Sequence, residues 1–185
     1  MPGKQAYFVS INLKPVPLNR AQVSVFDRSF LYGDSVYEVI RTYGKKLFAF
    51  DLHMDRFKTS CKRIGLKPPW SEKAVRKCLE GMIKKAGNKL GEAYIRLVLS
   101  RGTGPIDLDP ETAGKPTLVV LMKELPSYPK AYKEKGIKVI LSSIRRNLRQ
   151  ALDPAIKSGN YLNNILALTE ARRVGAVEAL MLDYS

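Results

Sequence analysis

A strand-like run, a proline turn, one lysine and a helix-like run follow one another between residues 137 and 175. The run IKVILSS is apolar and β-branched, and the run YLNNILALTEARRV has the length of a helix and is followed by Gly175. Lys157 stands between them, beside a Ser-Gly pair. A lysine amine at such a join can form a Schiff base, although most lysines beside glycine and serine are solvated loop residues. The local pattern leaves both interpretations open.

The composition predicts a globular chain without metal or membrane features. Of the 185 residues, 45% are hydrophobic and 26% are charged, which is ordinary for a chain that buries a core. No apolar run has the length of a membrane span, and the N-terminal residues lack the apolar segment of a secretory signal. Cys61 and Cys78 have neither metal-ligand spacing nor a disulfide framework. We therefore expect buried free thiols, a reducing cytoplasm and no metal site.

The net charge of +15 allows two kinds of partner. A basic surface can bind nucleic acid, and it can also attract an anionic metabolite. The lysines and arginines are scattered through predicted helices and strands, without a dense basic block that contains interleaved aromatic residues. This distribution favours a solvated basic surface and no nucleic-acid partner. The glycine loop RGTGP lacks the lysine of a phosphate-binding loop, so it indicates no nucleotide site.

Alternation and turn signals predict strands along most of the chain. The run 117–123, TLVVLMK, is almost continuously apolar and predicts a strand buried on both faces. Two amphipathic helices are predicted, one capped by Asp51 and one capped by Ser71. The predicted strands are 7–13, 22–27, 36–43, 46–50, 93–102, 117–123, 137–143 and 178–183.

Two groups of side chains are candidates for a binding site. In the strand 36–43, Tyr37, Val39 and Arg41 share one face, as in a pocket wall or in an ordinary edge strand. In the helix after Asp51, His53 and Arg56 are three residues apart and project together. Arg56 is suited to a phosphate at a helix N-terminus, but an arginine paired with a neighbouring acid is the alternative. A lone histidine such as His53 is more often a hydrogen-bonded structural residue than a ligand.

Taken together, these segments resemble one known family. The runs VSVFDRSFLYGDSVYEVIRTY, LHMDRF, AYIRLVLSRGTG, SSIRRN and IKSGNYLNNILA resemble the class IV, fold-type IV pyridoxal-phosphate aminotransferases, in the family's order. The branched-chain amino acid aminotransferases are the most similar group. The resemblance implies transamination between an amino acid and 2-oxoglutarate, a pyridoxal phosphate cofactor and a homodimer.

The resemblance also assigns roles to single residues. Lys157 is similar to the lysine that carries pyridoxal phosphate as an internal aldimine and moves a proton between the substrate Cα and the cofactor C4′. Arg56 is similar to the arginine that binds the cofactor phosphate, and Tyr161 to the tyrosine that hydrogen-bonds the ring oxygen. The residues that the resemblance implies for substrate binding are Tyr37, Arg41, Tyr94, Arg96 and Arg101, the last by similarity to the D-amino acid branch.

Two departures from the family pattern leave alternatives open. Branched-chain enzymes commonly have glycine where this chain has Val39, and valine resembles the D-amino acid enzymes. The family's glutamate for the pyridine nitrogen has no counterpart up to Ser185, so we expect the 185 residues to be a fragment of the functional enzyme. The alternatives are a D-amino acid aminotransferase, then an aminodeoxychorismate lyase, and outside the family a basic nucleic-acid-binding module without catalysis.

The expected fold is α+β. An N-terminal two-layer α/β domain is expected at residues 1–123, followed by a proline-containing linker at 124–136. Residues 137–185 are expected to begin a larger pseudo-barrel domain that binds the cofactor.

Overall fold

A computed structural model describes residues 6–184, and these residues form two compact units. The first unit contains the residues up to Pro126 together with Lys157–Gly159. The second contains Ser127–Ile156 and the residues from Asn160 onward. Among the residues that the structure describes, no helix combines the length and the apolar character needed to cross a membrane.

The first unit is a two-layer α/β arrangement, as the sequence predicts. Its strands are β1 (Tyr7–Ile11), β2 (Lys14–Val16), β3 (Ser35–Tyr43), β4 (Lys46–Leu47), β5 (Ala93–Ser100) and β6 (Thr117–Glu124), and its helices are α1 (Arg28–Tyr32), α2 (Phe50–Arg63) and α3 (Glu72–Ala86). The strands form one antiparallel sheet in the order β2-β1-β6-β5-β3-β4.

The register of the sheet places two helices on one of its faces. Glu38 of β3 and Ser10 of β1 lie in one row across the sheet, and their side chains contact α2 and α3 respectively. Successive strand residues point to opposite faces, so the even-numbered residues of β3 are covered and the odd-numbered residues form the other face. The fully buried side chains of the covered face include Val36, Ile40, Ile95, Leu97, Leu99, Val120 and Met122.

Both amphipathic helices form where their apolar spacing predicts them. The Ser71 hydroxyl caps α3 by accepting from the Ala74 amide, as expected. The prediction for Asp51 is wrong, because Ala49 occupies the N-cap position of α2 with a φ of 47° and Asp51 lies inside the first turn. There the Asp51 carboxylate pairs with Arg76 of α3 at 2.7 Å.

The strand predicted at 22–27 does not form. Ser24 and Asp27 accept hydrogen bonds from nearby backbone amides, which draws the segment into a turn and then caps α1. Such local bonds compete with a strand ladder. Val23 and Val25 alternate with polar residues in the sequence, yet both remain exposed, as does the adjacent Phe26.

Three further strand predictions need correction. The run 46–50 pairs with β3 only at Lys46–Leu47, since the left-handed backbone of Ala49 ends the ladder. The strand predicted at 7–13 ends at Ile11, because Asn12 and Leu13 have a left-handed backbone, and the chain then returns as the edge strand β2, which contains Pro15. β6 is buried on one face only, because Leu121 is half-exposed on the face without helices.

The cysteines differ from each other in burial. Cys61 is buried in α2, and burial raises the pKa of its thiol to about 12. Cys78 in α3 is only half-buried and lies 3.4 Å from the Ser10 hydroxyl. The prediction that both are free thiols is confirmed, whereas the prediction of burial is confirmed for Cys61 only.

The second unit contains two parallel strands and a long helix. Its elements are α4 (Lys130–Lys135), β7 (Val139–Leu141), α5 (Arg149–Leu152), α6 (Leu162–Arg173) and β8 (Glu178–Leu180). The strand β8 pairs with β7 in parallel, and α6 connects them as the sequence predicts. Glu170 of α6 accepts hydrogen bonds from Ser142 and from the Ser143 amide, which fixes the helix to the end of β7.

Candidate active site

The backbone of Lys157 is held against β3 and α2. Its carbonyl accepts a hydrogen bond from the Tyr37 amide at 2.8 Å, and the Gly159 amide donates to the Ser35 carbonyl at 2.8 Å. These two bonds extend the sheet by one short antiparallel bridge. The Lys157 amide also donates to the hydroxyl of the buried Ser60 in α2 at 3.3 Å. Lys157 therefore belongs to the first unit and is not a solvated loop residue.

Gly159 occupies a position that has no space for a side chain. A Cβ atom at this residue would lie 2.4 Å from the Ser35 hydroxyl oxygen and 3.0 Å from the Gly33 carbonyl oxygen. Both distances are below ordinary van der Waals contact. The glycine is thus required for the close approach that seats Lys157 on β3.

The side chain of Lys157 lies on Tyr37. Its Nζ is 3.2 Å from the Tyr37 hydroxyl and 4.4 Å from the centre of the ring. The Arg96 guanidinium lies 4.1 Å from the centre of the same ring, which is only 4% exposed. A ring face attracts cations and offsets part of the repulsion between them. The structure thus brings three of the expected site residues together.

Arg41 and Tyr94 share this face of the sheet but lie farther from the lysine. They are cross-strand partners, and Arg41 is four residues along β3 from Tyr37, about 13 Å at the usual rise of a strand. The Arg41 guanidinium stacks on Tyr43 at 3.7 Å, and Lys123 lies 5.5 Å from the centre of the Tyr94 ring. The face therefore has the amine of Lys157 at one end and a cationic group at the other.

Arg56 is paired with a buried carboxylate that the sequence reasoning did not single out. Its Nε and Nη2 contact the two oxygens of Glu38 at 2.5 and 2.8 Å, and His53 Nδ1 lies 2.9 Å from Glu38. Burial raises the pKa of Glu38, but the hydrogen bonds from Arg56 and His53 outweigh it and leave the pKa below its usual value. The sequence signal that could have indicated this buried carboxylate is the position of Glu38 on the apolar face of a predicted strand.

The helix α2 connects Arg56 to the lysine. Ser60 follows Arg56 by four residues, so both side chains project from the same side of the helix, one turn apart. Ser60 binds the backbone of Lys157, and Arg56 presents its guanidinium one turn earlier. One helix thus positions two of the three residues that the family resemblance assigns to the cofactor, Lys157 and Arg56.

Arg101 has a different environment from the one expected for a substrate ligand. Its guanidinium donates to both oxygens of Asp34 at 2.7 and 3.0 Å and to the Ile64 carbonyl at 2.8 Å. Burial raises the pKa of Asp34, but the hydrogen bonds from Arg101 and Arg28 outweigh it and lower the pKa. Arg101 thus ties the end of α2 to the start of β3, and the structure does not bring it to the lysine.

Tyr161 lies in the second unit, directly before α6. Its carbonyl accepts the first helical hydrogen bond, from the Ile165 amide at 3.0 Å, and its side chain is 40% exposed. Nearby, Arg146 donates to the side-chain oxygens of Asn163 and Asn164 at 3.4 and 3.0 Å. These bonds fix the first turn of α6 within this unit.

Comparison with known proteins identifies the family. The pattern of the family Amino-transferase class IV matches residues 35–185, and the chain belongs to this family. A Methanocaldococcus jannaschii protein named as a candidate branched-chain-amino-acid aminotransferase is 40% identical over 176 residues, which is 95% of this chain and 59% of the relative. The D-alanine aminotransferase of Listeria innocua is 31% identical, over 94% of this chain and 58% of its own length.

A solved structure gives the same classification. The T.th. branched-chain amino acid aminotransferase, determined with pyridoxamine 5'-phosphate, superposes with a TM-score of 0.88 at 29% identity. The match covers 96% of this chain and 59% of that structure. The chain thus has the class IV aminotransferase fold and spans about three fifths of the length of the relatives it matches.

Proposed function

We propose that this chain acts in a pyridoxal-phosphate-dependent aminotransferase, with Lys157 as the cofactor-binding and catalytic residue. The observation that carries the proposal is the placement of the Lys157 amine 3.2 Å from the Tyr37 hydroxyl, on a sheet face that also presents Arg96. Family membership supports it, and the structurally similar T.th. enzyme was determined with pyridoxamine 5'-phosphate.

The residues of the chain fit this cofactor chemically. Lys157 offers a primary amine for covalent attachment, Arg56 offers guanidinium donors for the phosphate, and Tyr161 offers a hydroxyl for the ring oxygen. Pyridoxal phosphate, when bound, supplies an electron sink for the substrate carbon. In this proposal Lys157 also moves a proton between the substrate Cα and the cofactor C4′, because the same amine can then act as a base.

The substrate is an amino acid whose carboxylate is held by arginine. Arg96 and Arg41 supply positive charge on the lysine-bearing face, with Tyr37 and Tyr94 beside them. Val39 and Val98 are half-buried on the same face and suit an aliphatic side chain. We propose a branched-chain amino acid as donor and 2-oxoglutarate as acceptor, in keeping with the name of the Methanocaldococcus jannaschii relative.

A second candidate is a D-amino acid aminotransferase. Val39 stands where branched-chain enzymes commonly have glycine, and the D-alanine aminotransferase of Listeria innocua is 31% identical. A bulkier residue on this face narrows the space beside Arg96, its cross-strand partner. The stereochemistry of the donor therefore has to be measured.

We further propose that the protein is a homodimer in the cytoplasm. The backbone of the loop after β5 is bound to the segment around α1, since the Gly104 amide donates to the Phe26 carbonyl and Arg28 donates to the Asp107 carbonyl. This surface exposes large apolar side chains that a second copy could cover. The side chains concerned are Val25, Phe26, Phe30, Ile106 and Leu108. The free thiols support a reducing compartment.

A spectrum and an amino-donor panel test the proposal. The purified enzyme that contains this chain is mixed with pyridoxal phosphate and then offered both enantiomers of leucine and of alanine with 2-oxoglutarate, while glutamate formation is measured. We expect visible absorbance from bound cofactor and glutamate from L-leucine. Glutamate from the D-enantiomers only would favour the second candidate, and absence of both cofactor binding and glutamate would contradict the proposal.

A further inference from the structure

Glu38 carries a charge inside the core of the first unit. Its side chain is 0% exposed and lies in β3 between Val36 and Ile40, which are also fully buried. A buried carboxylate is unfavourable unless charged and hydrogen-bonding partners surround it. Arg56 and His53 are those partners, so Glu38 binds Arg56 strongly enough to fix the position of its guanidinium.

The pairing uses one defined edge of the guanidinium. Nε and Nη2 of Arg56 face the two oxygens of Glu38, and Nη1 has no hydrogen-bond partner among the described residues. The Arg56 side chain is 52% exposed although its partner is fully buried. The planar guanidinium is therefore anchored along one edge and open along the rest, a geometry that lysine cannot reproduce.

We propose that Glu38 is a positioning residue that orients Arg56 toward the cofactor phosphate, an inference that rests on the proposed function. Glu38 does not touch the cofactor. Removing Arg56 from Glu38 would leave the buried carboxylate with His53 but without its guanidinium partner, so the pair is expected to persist when an anion arrives, with Nη1 as the donor left for the phosphate. The phosphate thus meets a donor whose direction is already fixed, which lowers the entropic cost of binding.

The test compares two ligands that differ only in the phosphate. Absorbance titrations give the dissociation constants of pyridoxal phosphate and of pyridoxal for the chain, and their ratio is the phosphate preference. Glu38→Gln keeps the shape of the side chain but loses its charge. We expect its phosphate preference to fall about tenfold or more, since a charge-assisted hydrogen bond is weakened, while its affinity for pyridoxal stays the same.

A matched variant controls for net charge. Asp51→Asn removes one negative charge from α2, the helix of Arg56, at an exposed pair with Arg76, and we expect it to leave the phosphate preference unchanged. In a double-mutant cycle with Arg56→Lys, Glu38→Gln should add little further loss, because both changes act on the same contact. Glu38→Asp retains the charge but shortens the side chain, and it should lower the preference even if Glu38→Gln fails to fold.

The outcomes separate the inference from the proposed function. If the unaltered chain prefers pyridoxal phosphate and Glu38→Gln has the same preference or a higher one, the positioning role is wrong while the proposed function stands. If Glu38→Gln loses affinity equally for both ligands, its role is only structural, which also overturns the inference. If the unaltered chain binds neither ligand, the proposed function fails and the inference fails with it.

Discussion

The amine of Lys157 lies 3.2 Å from the hydroxyl of Tyr37, a residue 120 positions earlier in the chain. The backbones of the same two residues are joined by a hydrogen bond of 2.8 Å between the Tyr37 amide and the Lys157 carbonyl. Tyr37 therefore fixes both the main chain and the side chain of the lysine. This double contact places the amine of the half-buried Lys157 on a sheet face.

Replacing Tyr37 separates the contribution of its hydroxyl from that of its ring. Tyr37→Phe keeps the ring beneath the amine, and we expect affinity for pyridoxal phosphate to fall about three- to tenfold, the value of one hydrogen bond. Tyr37→Ala also removes the cation–π contact and should bind more weakly still. Equilibrium titration by absorbance measures both. Tyr43→Phe, at an exposed ring of the same strand, serves as the control, and equal affinity in Tyr37→Ala and the unaltered chain would argue against this arrangement.

Adding one methyl group should have opposite effects at two glycines. Gly159→Ala places a Cβ against Ser35 and Gly33, so we expect the free energy of unfolding to fall by about 1–3 kcal/mol. Gly81→Ala lies on an exposed side of α3 with no atom within 4 Å, so it should raise stability by about 0.5–1 kcal/mol. Urea denaturation of both variants measures the difference. Equal effects at the two sites would mean that Gly159 is not tightly packed.

Arg101 should contribute to stability more than to substrate binding. Arg101→Lys keeps the charge but cannot bind both Asp34 oxygens and the end of α2, and we expect a loss of about 2–3 kcal/mol in unfolding free energy. The KM for the amino donor should change little. Arg76→Lys at the more exposed pair with Asp51 is the control. A raised KM with unchanged stability would instead support the carboxylate-binding role that the family resemblance implies.

Asp34 makes stability depend on pH in the acid range. The pKa of Asp34 is lower in the folded chain than in the unfolded chain. Its contribution to the free energy of unfolding is therefore fully present at pH values above the ordinary pKa of about 3.9, and it is lost as the pH falls through the lowered pKa. The difference in unfolding free energy between the unaltered chain and Asp34→Asn should be constant near neutrality and shrink in strong acid. Denaturant titrations from pH 7 down to about 2 would follow it. A difference that stays constant throughout would contradict this role.

The sequence predicts the elements of the first unit better than it predicts their contacts. Apolar spacing and the Ser71 cap locate α3, and alternation locates β3 and β5, because these signals are local. The segment 22–27 alternates as well, yet Ser24 and Asp27 direct it into a turn and a cap. Alternation alone does not show whether a neighbouring strand is available for pairing.

The candidate site was predictable only in part, for the same reason. Family resemblance brings forward Lys157 and Arg56, but it does not reveal that Gly159 must be small or that Glu38 anchors Arg56. Those relationships join residues that are far apart in the sequence. The buried Glu38 has a weak sequence signal, as a charged residue on an apolar strand face, while the contact of Gly159 with Ser35 has none.

The most direct test of the central claim is to locate the covalent attachment of the cofactor. The chain is incubated with pyridoxal phosphate, reduced with borohydride and digested, and the modified peptide is identified by mass spectrometry. We expect one stoichiometric adduct on Lys157, its absence in Lys157→Ala, and an unchanged adduct in Lys45→Ala, a lysine in the turn between β3 and β4 that is bonded to the Gly87 carbonyl. Adducts distributed over many lysines, or none on Lys157, would contradict the assignment of Lys157 as the cofactor-binding residue.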